Sequence, residues 1–263
     1  MKNTNEKRRR PAPIAPVEEI EGQLEGRNAL TEALRSGRTV DKVFIAAGEI
    51  DRGLQRLAAE AKDAGAVVVP VDRRKLDAMS TTHSHQGVIA LVAAHEYASI
   101  DDILEEAASR GETALIVICD ELSDPHNLGA IMRSAECAGA HGVIIPKRRS
   151  VGLTATVAKA SAGAVEYMKV ARVTNINQAI AELKEKGVWI FGTAAEGSIP
   201  MYKADLTGPT AIVIGNEGQG MSPLVRKNCD VTVHIPMKGR ISSLNASAAA
   251  SILLYEAVRQ RLG

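Results

Sequence analysis

Apolar residues fall along this chain in two textures. Over residues 25–93, short apolar runs alternate with segments whose apolar positions recur every three or four residues. That contrast separates strands from amphipathic helices. It predicts a short helix beginning at Gly26-Arg27-Asn28-Ala29-Leu30 and ended at Gly37, a strand over 40–46 and a helix over 54–64 stopped by Gly65. A strand over 67–71, a helix over 73–79 and a strand over 88–93 follow, with His85-Gln86-Gly87 as the turn into the last strand. The alternation describes a small α/β unit spanning residues 22–95. Ser99 with Asp102 three residues on matches a capping pattern. It starts a helix to 109 that stops at Gly111, so residues 96–112 read as a connector.

From residue 113 the runs become nearly continuous. Strands are expected at 114–119, 142–145, 165–170, 188–192, 211–214 and 231–235, with helices at 128–138, 154–161, 176–186, 223–228 and 246–261. Unbroken short apolar runs suit strands buried on both faces of a parallel sheet. The segment 113–263 therefore reads as a doubly wound α/β domain, whose ligands bind beyond the carboxyl ends of strands.

Three such strand ends are rich in polar residues. After Cys119 come Asp124-Pro125-His126-Asn127-Leu128-Gly129, then Arg133 among small and apolar neighbours. Asn127 suits a helix N-cap. Arg133 reads either as an anion contact or as the partner of Glu136. After the 211–214 strand lies Gly215-Asn216-Glu217-Gly218-Gln219-Gly220-Met221, whose glycines permit close approach of a ligand to the main chain. It lacks the lysine of a P-loop and the dinucleotide spacing. The acid Glu217 favours a cation or hydroxyl donors over phosphate. After the 231–235 strand, Ser242, Ser243 and Asn245 offer oxygens where a helix leaves its first amides unpaired, and Ala246, Ala248, Ala249 and Ala250 allow close approach.

Composition narrows the class. No apolar run approaches a membrane span, so a soluble protein with no membrane partner is expected. The basic start has no apolar stretch behind it, which argues against a secretory signal. Three cysteines without metal-ligand spacing fit reduced thiols in the cytoplasm. No metal site is expected; His83 and His85 find no third ligand nearby. Net charge is only +1, so nucleic-acid binding has to come from local patches. Residues 1–21 form a disordered basic arm, where Lys2, Lys7, Arg8, Arg9 and Arg10 face the single acid Glu6. Lys147-Arg148-Arg149 adds a basic loop after a strand end. Aromatic residues make up 3%, which argues against base stacking on aromatic rings as the main binding device.

The three polar segments, with Ile235-Pro236-Met237 and Ser242-Ser243-Leu244-Asn245-Ala246-Ser247, resemble the signature motifs of the SpoU (TrmH-type) ribose methyltransferases of the SPOUT superfamily. Residues 22–95 are similar to the ribosomal-protein-like substrate-binding domain that precedes the catalytic domain in many members. The resemblance implies a catalytic domain with a C-terminal deep trefoil knot, a homodimer with active sites at its interface, and S-adenosylmethionine as cofactor. It implies methyl transfer to a ribose 2′-hydroxyl, with a guanosine of large-subunit ribosomal RNA as the expected acceptor. By motif position, Asn127, Arg133, Glu217, Ser243 and Asn245 would form the catalytic set. Thr193, Ala194, Ala195, Gly215, Asn216, Gly218, Ile235, Met237 and Leu244 would hold the cofactor, while Arg27, Asn28, Lys147, Arg148 and Arg149 would contact RNA. Arg133 would serve either as base or as electrostatic stabiliser. Rival readings are a transfer-RNA methyltransferase, a non-catalytic RNA-binding or ribosome-assembly protein on the same fold, and a Rossmann-type oxidoreductase. The missing glycine fingerprint disfavours the last.

Overall fold

The computed structural model describes residues 22–48, 51–194 and 199–263. The basic arm at 1–21 and Ala195 lie outside them.

The chain opens with β1 (Gln23–Glu25), α1 (Arg27–Arg35), β2 (Val40–Ala46), α2 (Arg52–Asp63), β3 (Val67–Val71), α3 (Arg73–Met79) and β4 (Val88–Val92). The four strands form one sheet in the order β1-β4-β2-β3. β2 and β3 are parallel, whereas β4 runs antiparallel to β1 and β2. Leu30, Val43, Ile45, Leu57 and Val88 form the core between this sheet and its helices. Asp51 caps α2 by accepting from Leu54 N, and Asp72 caps α3 by accepting from Arg74 N.

Next, α4 (Ile100–Ser109) carries a full capping box between Ser99 and Asp102. The helix is not a free connector, since Ile100, Ile103 and Ala107 join the apolar cluster on one face of the second sheet. A Cβ at Gly142 would lie 2.5 Å from Ile103, so only glycine admits the helix this closely.

That second sheet is built from β5 (Leu115–Cys119), α5 (Pro125–Cys137), β6 (Gly142–Pro146), α6 (Ala155–Ala160), β7 (Lys169–Val173) and α7 (Ile176–Glu185). β8 (Trp189–Thr193), β9 (Ile199–Pro200), β10 (Thr210–Ile214), α8 (Pro223–Asn228), β11 (Val231–His234) and α9 (Ala246–Leu262) complete it. Its strand order is β7-β6-β5-β10-β8-β11-β9, every pairing parallel. Separate apolar clusters cover its two faces, as the continuous apolar runs require. β10 sits between β5 and β8, so the chain leaves β11 on the far side of β8 and α9 returns to pack on α5. Arg261 pins α9 by donating to the carbonyls of Leu206, Thr113, Ala114 and Gly208.

The structure departs from the sequence reading in three places. The strand expected at 165–170 begins at Lys169, because Ala162 (φ 50) and Gly163 (φ 91) turn the chain into one 3-10 turn over Ala164–Glu166. Asn127 does not cap a helix; α5 starts at Pro125 and Asp124 is its cap. The short β1 and β9 were not foreseen, being three and two residues long with no buried position.

A buried polar cluster joins the two sheets. Arg172 of β7 lies 2.7 Å from Asp41 Oδ1 in an ionic contact that lacks hydrogen-bond alignment. A second guanidinium nitrogen donates to the Asp41 carbonyl, and Tyr97 OH donates to Asp41 Oδ2 at 2.9 Å. The Tyr97 oxygen in turn accepts from Leu153 N. Burial pushes the Asp41 carboxyl up against the pull of Arg172, and burial followed by the Asp41 charge keeps the Tyr97 phenol protonated.

Candidate active site

The polar strand ends meet around the carboxyl end of β10. After Ile214 the chain doubles back, with Asn216 N donating to Gly220 O and Gly220 N to Asn216 O. Asn216 Oδ1 accepts from Gly218 N at 2.8 Å, while its Nδ2 donates to the Glu121 carbonyl at 3.0 Å. Asp120, buried at the end of β5, accepts from Ser222 N at 2.7 Å and anchors the far side of the loop. A Cβ on Gly215 would fall 2.2 Å from Met221 N, so this fold of the loop demands glycine there.

The loop walls a cavity of about 500 Å³. Thr193, Ala194, Gly215, Asn216, Gly218, Ile235, Met237 and Leu244 all line it. Ala195 lies outside the described residues. Ile214, Val233 and Leu253 add apolar wall, and Glu217, Gln219, Arg226 and Ser242 bring polar groups to it. Apolar walls with a few polar groups and exposed main chain are the usual build of a small-ligand site. Glu217 gives this one an anionic side that suits a cationic ligand group.

Three segments far apart in sequence close one edge of the cavity through two hydrogen bonds. Asn127 Nδ2 donates to Glu217 Oε1 at 2.5 Å, and Asn245 Nδ2 donates to Asn127 Oδ1 at 2.9 Å. While Nδ2 makes that bond, Asn245 Oδ1 caps α9 by accepting from Ser247 N and Ala248 N. Pro125 at the first turn places Asn127 inside α5 rather than at its cap, and aims its amide at both partners. Ser243 also lines the cavity. Arg133 does not: it stands exposed on α5, and its guanidinium has no partner among the described residues, so the pairing with Glu136 is not made. Below the site, burial first, then the charges of Asp120 and Glu217, push the Cys119 thiol up to about 12. It is therefore an inert core thiol rather than a nucleophile.

Among the RNA-contact candidates, Arg148 and Arg149 are exposed and Lys147 half-buried. Arg149 pairs with Glu121 at 3.0 Å, beside the carbonyl that holds Asn216, which sets the basic loop against the cavity rim. Arg27 is clamped by Asp51 and Asn28 is exposed, both on the other sheet. Sequence reasoning did not assign a role to Asp120, Met221 or Arg226, of which the last two line the cavity. An acid ending an otherwise apolar strand was the signal available for Asp120. Among the described residues, no group of three or more His, Cys, Asp or Glu is placed to hold a metal ion, and no helix is long and apolar enough to cross a membrane.

Residues 114–255 match the SpoU rRNA Methylase family, and residues 23–98 match the family described as RNA 2′-O ribose methyltransferase substrate binding. The chain belongs to the SpoU rRNA methylase family. As a SpoU chain it is an RNA 2′-O-methyltransferase with the parallel-sheet fold of that group. It is 48% identical over 236 residues to YacO of Bacillus subtilis (strain 168), named as a TrmH family tRNA/rRNA methyltransferase, covering 90% of this chain and 94% of YacO. Among solved structures it is similar to the SpoU methyltransferase AviRb from Streptomyces viridochromogenes in complex with AdoMet. That match has TM-score 0.59 and 28% identity, covering 91% of this chain and 90% of AviRb. An AdoMet-bound rRNA methyltransferase from Sinorhizobium meliloti is similar with TM-score 0.57 and 25% identity over 92% and 88% of the two chains.

Proposed function

We propose that this SpoU methyltransferase modifies a guanosine ribose in large-subunit ribosomal RNA, with S-adenosylmethionine in the cavity beneath the Gly215 loop. The observation that carries the reading is the Asn245–Asn127–Glu217 chain, which brings all three motif segments to one edge of that cavity. When bound, S-adenosylmethionine supplies a methyl group activated by a sulfonium charge. Glu217 fits that charge, and the apolar wall with the main chain of residues 215–218 fits a nucleoside. Ser243 is then the polar group on the cavity wall available to orient the acceptor ribose, and Asn127 serves the site by fixing Glu217 and Asn245 at its edge.

As the oxygen–carbon bond forms, the methyl–sulfur bond would break to leave the neutral thioether, and the 2′-hydroxyl would give its proton to solvent water. An arginine stays protonated, so Arg133 acts by stabilising the developing alkoxide. Its place outside the cavity lining of its own chain supports a homodimer in which a second copy completes the site. The return of α9 across β8 and β10 to α5 supports a knotted C-terminal segment. Residues 22–95 serve as the RNA-binding domain and 113–263 as the catalytic domain, joined by 96–112. Free cysteines at 119, 137 and 229 support a cytoplasmic location.

The test is incubation with labelled S-adenosylmethionine and either unmodified large-subunit ribosomal RNA or unmodified transfer RNA. Ribose label on a guanosine of the ribosomal RNA is expected. Label confined to transfer RNA overturns the substrate, and no label on either overturns the enzymatic reading in favour of a binding protein.

A further inference from the structure

A second cavity, of about 470 Å³, opens in the first sheet at the carboxyl end of β2. That size falls within the roughly 300–1,000 Å³ of small-ligand sites. Its floor is apolar and flat: Ala46 and Leu54 lie against Gly87, where a Cβ would stand 3.2 Å from Leu54 Cδ2 at a φ of +84°. Its wall is the Arg27 guanidinium, held edge-on by a two-pronged contact to Asp51 at 3.0 and 2.6 Å and by a long bond to the Gln86 carbonyl at 3.4 Å. The hydrogen bond from Arg27 is the main reason the Asp51 carboxyl stays below its ordinary range, so the clamp persists at neutral pH.

An arginine whose in-plane donors are taken by a carboxylate still has its two flat faces, and those faces stack on bases. The cavity also holds two uncommitted polar groups. Arg73 is exposed and its guanidinium has no partner among the described residues, and the Gln86 amide nitrogen has none either. Within residues 22–95 the single phenylalanine, tyrosine or tryptophan is Phe44, and Lys42 and Lys75 each sit 5.9 Å from its centroid. No aromatic side chain lines this cavity, so base stacking in it falls to a guanidinium.

We propose that this cavity takes one unstacked nucleotide of the RNA substrate, its base between the apolar floor and the Arg27 face, its phosphate on Arg73. The proposal rests on the RNA reading above and deepens it, since it places a recognition point apart from the methylation cavity. Single-stranded, splayed-out bases are the features by which proteins read RNA sequence. The Gln86 amide then donates to an acceptor on the base edge.

The test compares the full-length protein with Arg73→Glu, Ala46→Met and Lys62→Glu, using unmodified large-subunit ribosomal RNA and saturating S-adenosylmethionine. Lys62 is exposed on the last turn of α2, away from the cavity, and controls for charge alone. Loss of one stacked and phosphate-bound nucleotide raises KM for RNA about tenfold or more in Arg73→Glu. Ala46→Met, which fills the floor without changing charge, raises it too. Cofactor Kd stays at the wild-type value, and Lys62→Glu changes KM less than about twofold. Unchanged KM in a folded Arg73→Glu overturns the proposal, as does an equal rise in Lys62→Glu. If the wild type methylates no RNA, the catalytic reading has failed on its own, and gel-shift affinities of the same variants decide the cavity. A loss of about tenfold in Arg73→Glu, a loss in Ala46→Met and none in Lys62→Glu support it; wild-type binding by Arg73→Glu or by Ala46→Met overturns it.

Discussion

Asn127 and Arg133 lie on one helix, six residues apart, in opposite circumstances. Asn127 is buried and holds both Glu217 and Asn245, while Arg133 is exposed and holds nothing among the described residues. Removing Asn127 frees the Glu217 carboxylate and the Asn245 amide, both exposed enough to be taken up by water, so it loosens the cavity edge rather than burying an unpaired group. Removing Arg133 costs the fold almost nothing. Arg133→Ala should therefore lose methyl transfer by about a hundredfold or more while cofactor Kd stays within about twofold. Asn127→Ala should weaken both. Isothermal titration with S-adenosylmethionine beside a transfer assay separates the two, and loss of cofactor binding in Arg133→Ala would place that residue in the cofactor site instead. Asn127 and Arg133 were both legible in the sequence as unusual residues, but their roles in the fold were not. A cap and an interior position differ by the placement of Pro125, and a local pair with Glu136 cannot be told from a free cation by spacing alone.

At the scale of elements, continuous apolar runs marked most strands within a residue or two, because burial on both faces leaves little choice of side chain. The exceptions are β7, displaced to Lys169–Val173 by the turn before it, and β1 and β9, whose positions are half-buried and too few to show a period. What holds β1 at the edge of the first sheet is Glu25. Its carboxylate accepts from Ser80 Oγ at 2.6 Å, from Thr81 N at 2.6 Å, and from Thr82 Oγ1 and Gln23. Burial pushes this carboxyl up, but those hydrogen bonds together outweigh it and hold it far below the usual range. The folded value is depressed, so the stabilisation is complete above the unfolded glutamate pKa of about 4.3 and is lost as pH falls through the folded value. The protection factors of the amides at residues 80–82, taken relative to the slower intrinsic exchange in acid, should fall as the pH drops below the pKa of free glutamate. In Glu25→Gln the exchange should already be fast at neutral pH and respond less to acid. A wild-type loop whose protection is flat down to pH 3 would contradict this.

For the whole molecule, the joint between the sheets is the part the sequence hid most completely. Asp41 sits in a strand where an alternating polar residue reads as solvent-facing, and its partners Tyr97 and Arg172 are 56 and 131 residues away. No local pattern links positions so distant. Both ends of the ion pair are 7% exposed, and removing one partner of such a pair leaves a buried charge, costing about 3–5 kcal/mol. Arg172→Met should lower the midpoint of thermal unfolding by several degrees. It should also raise KM for RNA more than it lowers kcat, because the RNA-binding unit loses its fixed bearing on the methylation cavity. Calorimetry that still shows one transition at the wild-type temperature would remove Asp41 and Arg172 from that role.

The fork that Arg261 makes with four carbonyls also sets an order in time. Thr113 and Ala114 begin the second sheet, whereas Asn245 and Arg261 come near the end of α9 and its approach. During synthesis the first sheet and most of the second leave the ribosome before either contact can form. The cavity edge at Asn127 thus stays open on a nascent chain, and a polypeptide interrupted before residue 245 carries the first sheet without a finished cavity beneath the Gly215 loop. On the proposed function, binding and chemistry are acquired in sequence, with α9 as the step that commits the chain to catalysis.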